Sequence, residues 1–410
     1  MKFLHTADWH LGKVFYEHPL LEDQEHFLRQ LQELLEDTSY QALLIAGDVY
    51  DRSIPSPEAA RLLSAFLGSL KARRPDLEIL ALPGNHDSPA RLGFGKELFA
   101  GLGIHLITSA GGAWKPVLLQ ERQDGAADPP VCAFFLLPFL NAACFHDAAA
   151  GLQTPDDGES GLPIRSQVRL AAEAAARLDQ AREAARSAGA TWAVLGAHCF
   201  TQEGIGSESE RVFLGTAERV PAELFAGFDY TALGHLHRFQ QAGKNAWYSG
   251  SPLAYSFAEA GQEKVVLSVE LRLEASCSVE PLPVRPLRKL WRFTGSFNYF
   301  FRESAHDPEI TQAEEDYLEL ILTDTALVEN PLPLLRRRFP RLLSISQAAA
   351  FASLKLSGQA LGRPVQESEG RGGAGYFEDF LLDIYGAADA EKTRLFQDFL
   401  SAAEQEETAL

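Results

Sequence analysis

The sequence predicts an α/β protein whose functional loops follow strand ends, with a smaller α/β unit and a helical tail appended. Three observations carry this. Short apolar runs alternate with amphipathic stretches over the first half of the chain. Five of the runs stop at a segment rich in Asp, Asn or His. Beyond about residue 286 the texture changes to two short strand-like runs around a helical one, then a Gly/Ser/Arg/Glu stretch, then an acidic helical end.

In chain order, residues 1–6 read as a short strand. Residues 24–36 place Phe27, Leu28, Leu31, Leu34 and Leu35 at the spacing of one helix face. Residues 42–46 are a continuous apolar strand that stops at Gly47-Asp48. Residues 57–72 follow as a helix, with Ser56 as N-cap and Pro57 at the first helical position. Residues 77–82 are the next strand and lead to Gly84-Asn85-His86-Asp87. Residues 166–187 are Ala-rich with interspersed Arg and Glu and predict a long helix. Residues 192–197 stop at His198, and residues 230–233 at Gly234-His235. In α/β proteins the edge where strands give way to loops is where ligands bind, because rigid strands fix the loop starts. Residues 317–322 and 342–346 predict strands around a helix over 332–339. Residues 124–130 and 154–163 are polar Gly/Pro-rich loops, 357–375 a linker, and 377–400 a return to helical spacing.

Composition narrows the class. The chain has 410 residues, 46% hydrophobic and 23% charged, which suits a globular protein with two or three domains. No apolar run approaches the roughly 18 residues of a membrane span. The N-terminal residues carry Asp8 at once and lack a long apolar stretch, so a cytoplasmic location is expected. Cys132, Cys144, Cys199 and Cys277 show no CxxC pairing and read as reduced, mostly buried thiols. Cys199 adjoins His198, but its strand-like flank favours packing over nucleophilic attack. The formal net charge of -19 argues against a broad basic footprint for nucleic acid. It leaves room for a substrate face whose charge is offset by cations.

Five of the 11 histidines fall in the segments Asp8-Trp9-His10, Gly84-Asn85-His86-Asp87, Ala197-His198 and Gly234-His235-Leu236-His237, and Gly47-Asp48-Val49-Tyr50-Asp51-Arg52 completes the set. Asp, Asn and His in this number supply ligands for two adjacent divalent ions, whose common use is hydrolysis at phosphorus with an activated water. Asp48 is the natural bridge. Asp8 and His10 are two apart on an extended segment and point the same way, as do His235 and His237. Asn85 offers an amide oxygen and His198 a further imidazole. Mixed N/O donors favour Mn, Fe or Zn over Mg or Ca. His86 stands apart as a proton donor or phosphate clamp, with Asp87 beside it to fix its tautomer. Asp51 is a candidate support, Arg52 and Ser251 candidate phosphate contacts.

These segments, with Leu4-His5-Thr6-Ala7 before the first and Tyr248-Ser249-Gly250-Ser251-Pro252 after the last, resemble the calcineurin-like metallophosphoesterase superfamily, and within it DNA nuclease subunits. The resemblance implies a four-layer αββα metallophosphoesterase sandwich over residues 1–285. It implies a small α/β capping domain for DNA at 286–356, a linker at 357–375 and C-terminal helices at 376–410 that attach to a coiled-coil ATPase. It implies two Mn2+ ions, one held by Asp8, His10, Asp48 and His237, the other by Asp48, Asn85, His198 and His235. His86 would then assist phosphodiester cleavage of duplex ends and hairpins. A homodimer within a heterotetramer is implied through helices near 57–72 and 91–100. No GKS/T phosphate loop occurs, so ATP dependence would come from the partner. The basic clusters Arg285, Arg288, Lys289, Arg292 and Arg336, Arg337, Arg338, Arg341 are candidates for DNA contact, most directly Arg336 to Arg338. Two other classes remain: a phosphodiesterase on small phosphodiesters, and a metal-stabilised scaffold. An appended domain and acidic tail disfavour the first, and the intact His86 disfavours the second.

Overall fold

The computed structural model describes residues 1–122, 128–141, 166–206, 219–273, 277–347, 392–394 and 396. The expected loop at 154–163, linker at 357–375 and nearly all of the C-terminal helical segment lie outside these residues.

The first half alternates as expected. Strand β1 (Lys2–Thr6) is followed by a ribbon of β2 (Val14–Phe15) and β3 (His18–Pro19), then helix α1 (Leu21–Leu34). Strand β4 (Ala42–Ala46), helix α2 (Pro57–Arg73) and strand β5 (Glu78–Leu82) come next. Ser56 caps α2, its hydroxyl accepting from Ala59 N at 3.2 Å, with Pro57 at the first position. Two short helices, α3 (Pro89–Leu92) and α4 (Lys96–Ala100), stand where a single helix over 91–100 is expected. Gly95, with φ of 75°, breaks the run. Then follow β6 (Ile104–Leu106), α5 (Ala110–Ala113), β7 (Val117–Gln120), β8 (Val131–Leu137), α6 (Gln167–Ser187), β9 (Trp192–His198), β10 (Tyr230–Gly234), β11 (Gln240–Gln241), β12 (Ala246–Tyr248), β13 (Val265–Glu270) and β14 (Ser278–Pro283).

These strands form two six-stranded sheets, ordered β14-β13-β1-β4-β5-β6 and β11-β12-β10-β9-β8-β7. Pairing is parallel from β1 through β6 and among β8, β9, β10 and β12. Strand alternation explains the layers. In β4, Ala42, Leu44 and Ala46 enter a core shared with Phe134 and Val194 of the other sheet, while Leu43 and Ile45 enter a core with Phe27, Leu31 and Phe66 of α1 and α2. In β8, Phe134 and Leu136 face the first sheet. Ala133 and Phe135 pack with Leu170, Ala174 and Leu178 of α6. Three cores between four layers give an αββα sandwich. Parallel strands buried on both faces read as continuous apolar runs, and β4 and β9 are buried throughout.

The appended unit has its own sheet, β15 (Leu290–Gly295), β16 (Tyr317–Leu322) and β17 (Leu342–Gln347), with helices α7 (Phe297–Phe301), α8 (Pro308–Gln312) and α9 (Pro331–Leu335). Phe300, Ile310, Leu320, Leu335 and Phe339 fill its core. The helix expected over 332–339 is shorter, and β15, parallel to β16, is an unexpected third strand. Among the described residues no helix is long and apolar enough to cross a membrane.

Candidate metal centre

All five ligand segments leave the strand ends of the two central sheets. Asp8 and His10 follow β1, Asp48 follows β4, Asn85 and His86 follow β5. His198 is the last residue of β9, and His235 follows β10. Backbone bonds zip the first two loops together: Asp8 N to Gly47 O at 3.0 Å, His10 N to Asp48 O at 2.9 Å, Leu11 N to Val49 O at 2.9 Å. Gly234 and His198 are paired in register across β10 and β9. The chain bends sharply to present these groups. Asp8, His10, Asp48 and His235 have φ of 54°, 46°, 48° and 109°. Non-glycine residues rarely adopt such angles, and the strain is sustained by the surrounding packing.

The side chains converge. Donor atoms of Asp8, His10 and His237 lie within 4.8 Å of one another, as do those of His10, Asp48 and His86, and of Asp8, Asp48 and His198. His10 Nε2 is 3.2 Å from His237 Nε2. Asn85 Oδ1 lies 3.0 Å from both His198 Nε2 and His235 Nδ1. Asp48 Oδ2 is 3.4 Å from His198 Nε2 and 3.7 Å from His10 Nε2, so it faces both groups of donors. His198 is oriented by Nδ1–H donation to Ala46 O at 2.9 Å.

Electrostatics follow from burial. Burial, and then the charge of Asp48, push the Asp8 carboxyl up to about 7 against the pull of His198 and His237. Burial opposes ionisation of Asp48, but His198, His10 and His86 together outweigh it and hold that carboxyl far below its usual range. Burial works against the charge of His198 too, yet Asp48 and Asp8 raise it to about 9. Burial lowers His10 to about 4 and His235 to about 3, so both are neutral. Neutral imidazoles beside buried carboxylates are metal donors in waiting. Among the described residues His235 Nε2 is buried with no hydrogen-bond partner, a costly state unless a cation takes its lone pair. The donor set therefore fits two divalent ions.

The calcineurin-like phosphoesterase profile matches residues 1–239, more than half of the chain. The chain belongs to the calcineurin-like phosphoesterase family. It is 29% identical over 348 residues to the SbcD subunit of the nuclease SbcCD of Staphylococcus epidermidis, covering 84% of this chain and 85% of that one. Among solved structures it resembles the calcineurin-like phosphoesterase YfkN of Bacillus subtilis at 12% identity, covering 68% of this chain and 90% of that one. Their TM-score of 0.37 is too low to add to the fold above.

In this phosphoesterase the remaining candidates fall in different places. A cavity of about 280 Å3 opens onto the centre and is lined by Asp48, Asn85, His86, His235, His237 and His10. His86 Nδ1 donates to Asp51 O at 2.9 Å, and His86 N to Asp48 Oδ1 at 2.8 Å. Asp87, expected beside His86, ties two of the loops together. Its buried carboxylate accepts from Val49 N, Tyr50 N and Gly84 N at 3.0, 2.9 and 3.0 Å, tying the second and third loops together. Asp51 supports His10, its Oδ1 lying 3.5 Å from Nδ1. Arg52 is exposed, 3.8 Å from Asp51. Ser251 is fully buried, its hydroxyl donating to Leu253 O at 2.7 Å and accepting from Lys264 Nζ at 3.0 Å, which places it behind His237 and not against the cavity. In the appended unit Arg338 binds Glu314, Ser304 and Phe300 O, and Arg336 binds Leu342 O, so these guanidiniums brace the unit itself. Arg337 is exposed.

Other contributors escaped the sequence reading. Gln24 holds the first loop through Gly12 N at 2.9 Å and His10 O at 2.7 Å. Lys13 lines the cavity, 2.8 Å from Asp51. Phe15 and Tyr16 form an aromatic rim with Phe257, at centroid distances of 5.3 and 5.6 Å from it. The adjacent Phe15-Tyr16 pair two residues beyond Lys13 was the available signal.

Proposed function

We propose that this chain is the nuclease subunit of an ATP-regulated SbcCD-type complex: a Mn2+-dependent double-strand exonuclease and single-strand or hairpin endonuclease acting on DNA ends. The observation that carries the reading is the cavity itself, where five of the seven metal donors (His10, Asp48, Asn85, His235 and His237) meet His86, Lys13 and the aromatic rings of Phe15 and Tyr16. The similarity to an SbcD nuclease subunit over most of both chains supports DNA over a small phosphodiester as substrate.

Asp8, His10, Asp48 and His237 are assigned to one ion, and Asp48, Asn85, His198 and His235 to the other. The two ions, when bound, supply an activated water and polarise the phosphodiester. His86, fixed through Nδ1 by the Asp51 carbonyl, turns its other nitrogen to the leaving alkoxide or the phosphate oxygens. Lys13 adds positive charge at the same wall. The exposed ring of Tyr16 offers a stacking face to a terminal base. The appended unit would cap the DNA, and residues 376–410 would bind an SbcC-type ATPase, with two copies of this chain in the assembly.

The test is hydrolysis of an end-labelled duplex by the purified chain with Mn2+, with and without the ATPase partner and ATP, alongside His86→Ala and Asp48→Ala. Mn2+-dependent degradation lost in both variants supports the reading. Cleavage of bis-p-nitrophenyl phosphate with no attack on DNA under any condition replaces it with a small-molecule phosphodiesterase.

A further inference from the structure

His237 stands on a buried ion pair that the cleavage chemistry does not otherwise use. Glu259 ends a short 3-10 turn (Phe257–Glu259), and Lys264 immediately precedes β13. Both side chains are buried, at 0% and 7% exposure. Such a pair is expensive to desolvate and is no stability device by itself, so its partners matter. Lys264 Nζ donates to Glu259 Oε2 at 2.6 Å, to Ser251 Oγ at 3.0 Å and to His237 O at 3.0 Å. The second oxygen, Glu259 Oε1, lies 3.5 Å from His237 Nδ1. The pair therefore grips His237 at its backbone carbonyl and at its ring. The opposite ring nitrogen, Nε2, is the one 3.2 Å from His10 Nε2 among the metal donors.

We propose that Glu259 is a positioning residue for the metal centre: its carboxylate takes the Nδ1–H of His237, and the lone pair of Nε2 is thereby presented to one ion. Lys264 keeps the carboxylate in place. A histidine ligand set by a carboxylate behind it is a better donor and is held in one orientation. The inference rests on the two-metal reading of the site. It adds a residue that lies 22 positions after the last ligand, His237, in a stretch with no metal-binding spacing.

The test uses the full-length protein and Co2+ as the probe. Equilibrium binding is followed by calorimetry and by the Co2+ absorption spectrum, with metal-free melting recorded for each variant. Glu259→Gln is expected to lose about 10–100-fold in affinity at one of two sites. Its Co2+ spectrum changes at that site, and Glu259→Asp recovers part of the loss. Native affinity at both sites in a folded Glu259→Gln overturns the proposal. Should that variant fail to fold, Glu259→Gln with Lys264→Met removes both charges together. One weakened site at native melting temperature supports the proposal, and two native sites show that the pair only packs. A native chain that takes up no Co2+ is a different result, since it removes the two-metal reading itself.

Discussion

Gly84 leaves no room for a side chain beside the bridging carboxylate. A Cβ there would stand 2.1 Å from Asp48 Oδ1 and 2.5 Å from Asp48 N. Gly84→Ala must therefore displace Asp48. The expected outcome is a folded protein with loss of metal uptake by calorimetry and at least about a 100-fold fall in phosphodiester hydrolysis, on the order of 3 kcal/mol in transition-state stabilisation. Protons at the centre make a second prediction. Asp8, raised to about 7, and His198, raised to about 9, hold protons in the folded chain that the unfolded chain releases earlier. Their contribution to stability is complete below the unfolded values near 3.8 and 6.5 and is lost as pH rises through about 7 and about 9. Metal-free protein should thus melt lower at pH 9 than at pH 7. Metal affinity should rise over the same window, with protons released in calorimetry across buffers of different ionisation enthalpy. An unchanged melting temperature and no proton release would discount the coupling. The loops that converge on the centre were legible in the sequence because each leaves a strand-like run. The bonds of Asp87 to Val49 and Tyr50 had no sequence signal, because those residues lie in another loop that only folding brings near.

Elements divide in the same way. Strands β4, β9 and β10 announced themselves because parallel strands covered on both faces are apolar throughout. Strand β15, Leu-Trp-Arg-Phe-Thr-Gly, alternates between half-buried and exposed positions and did not. The stretch of α3, α4 and the turns that flank α4 carries an exposed apolar group: Phe94, Leu98 and Leu102 are 83%, 80% and 59% exposed. Large exposed side chains clustered on so short a stretch mark an interaction surface. It coincides with one of the two regions expected to form the homodimer. Leu98→Asp combined with Phe94→Asp should convert a dimer to a monomer by light scattering, while bis-p-nitrophenyl phosphate hydrolysis per chain is kept. A species already monomeric in the native protein, or a dimer untouched by both charges, would send the dimer contact elsewhere.

At the scale of the molecule, the appended unit and the metal centre share an anchor on α1. Asp23 Oδ2 accepts from Arg288 Nη1 at 2.9 Å and from Tyr317 OH at 2.7 Å, while Arg288 Nη2 reaches Glu22 at 2.5 Å. The next residue, Gln24, grips the His10 carbonyl. Adjacent positions of one helix thus hold the appended sheet on one side and the first ligand loop on the other. A cavity of about 670 Å3 beside this anchor is lined by Arg288, Trp291 and Tyr317 and also by Glu259 and Lys264, the pair behind His237. The texture of the sequence changes near residue 286, but a salt bridge spanning 265 positions has no local signature. Arg288→Ala strands the buried Asp23 carboxylate and should cost about 3 kcal/mol in denaturant unfolding, near the lower end for breaking a buried pair. Its effect on substrates should be unequal. A small phosphodiester needs only the cavity, so its hydrolysis should fall no more than about threefold, within about 0.7 kcal/mol. Under the proposed nuclease function the appended unit caps the DNA, and duplex degradation should then fall tenfold or more, about 1.4 kcal/mol. Equal losses on both substrates would mean that the anchor serves the metal centre through α1 alone. No loss on either would mean that Tyr317 and the surrounding apolar contacts seat the unit without the ion pair.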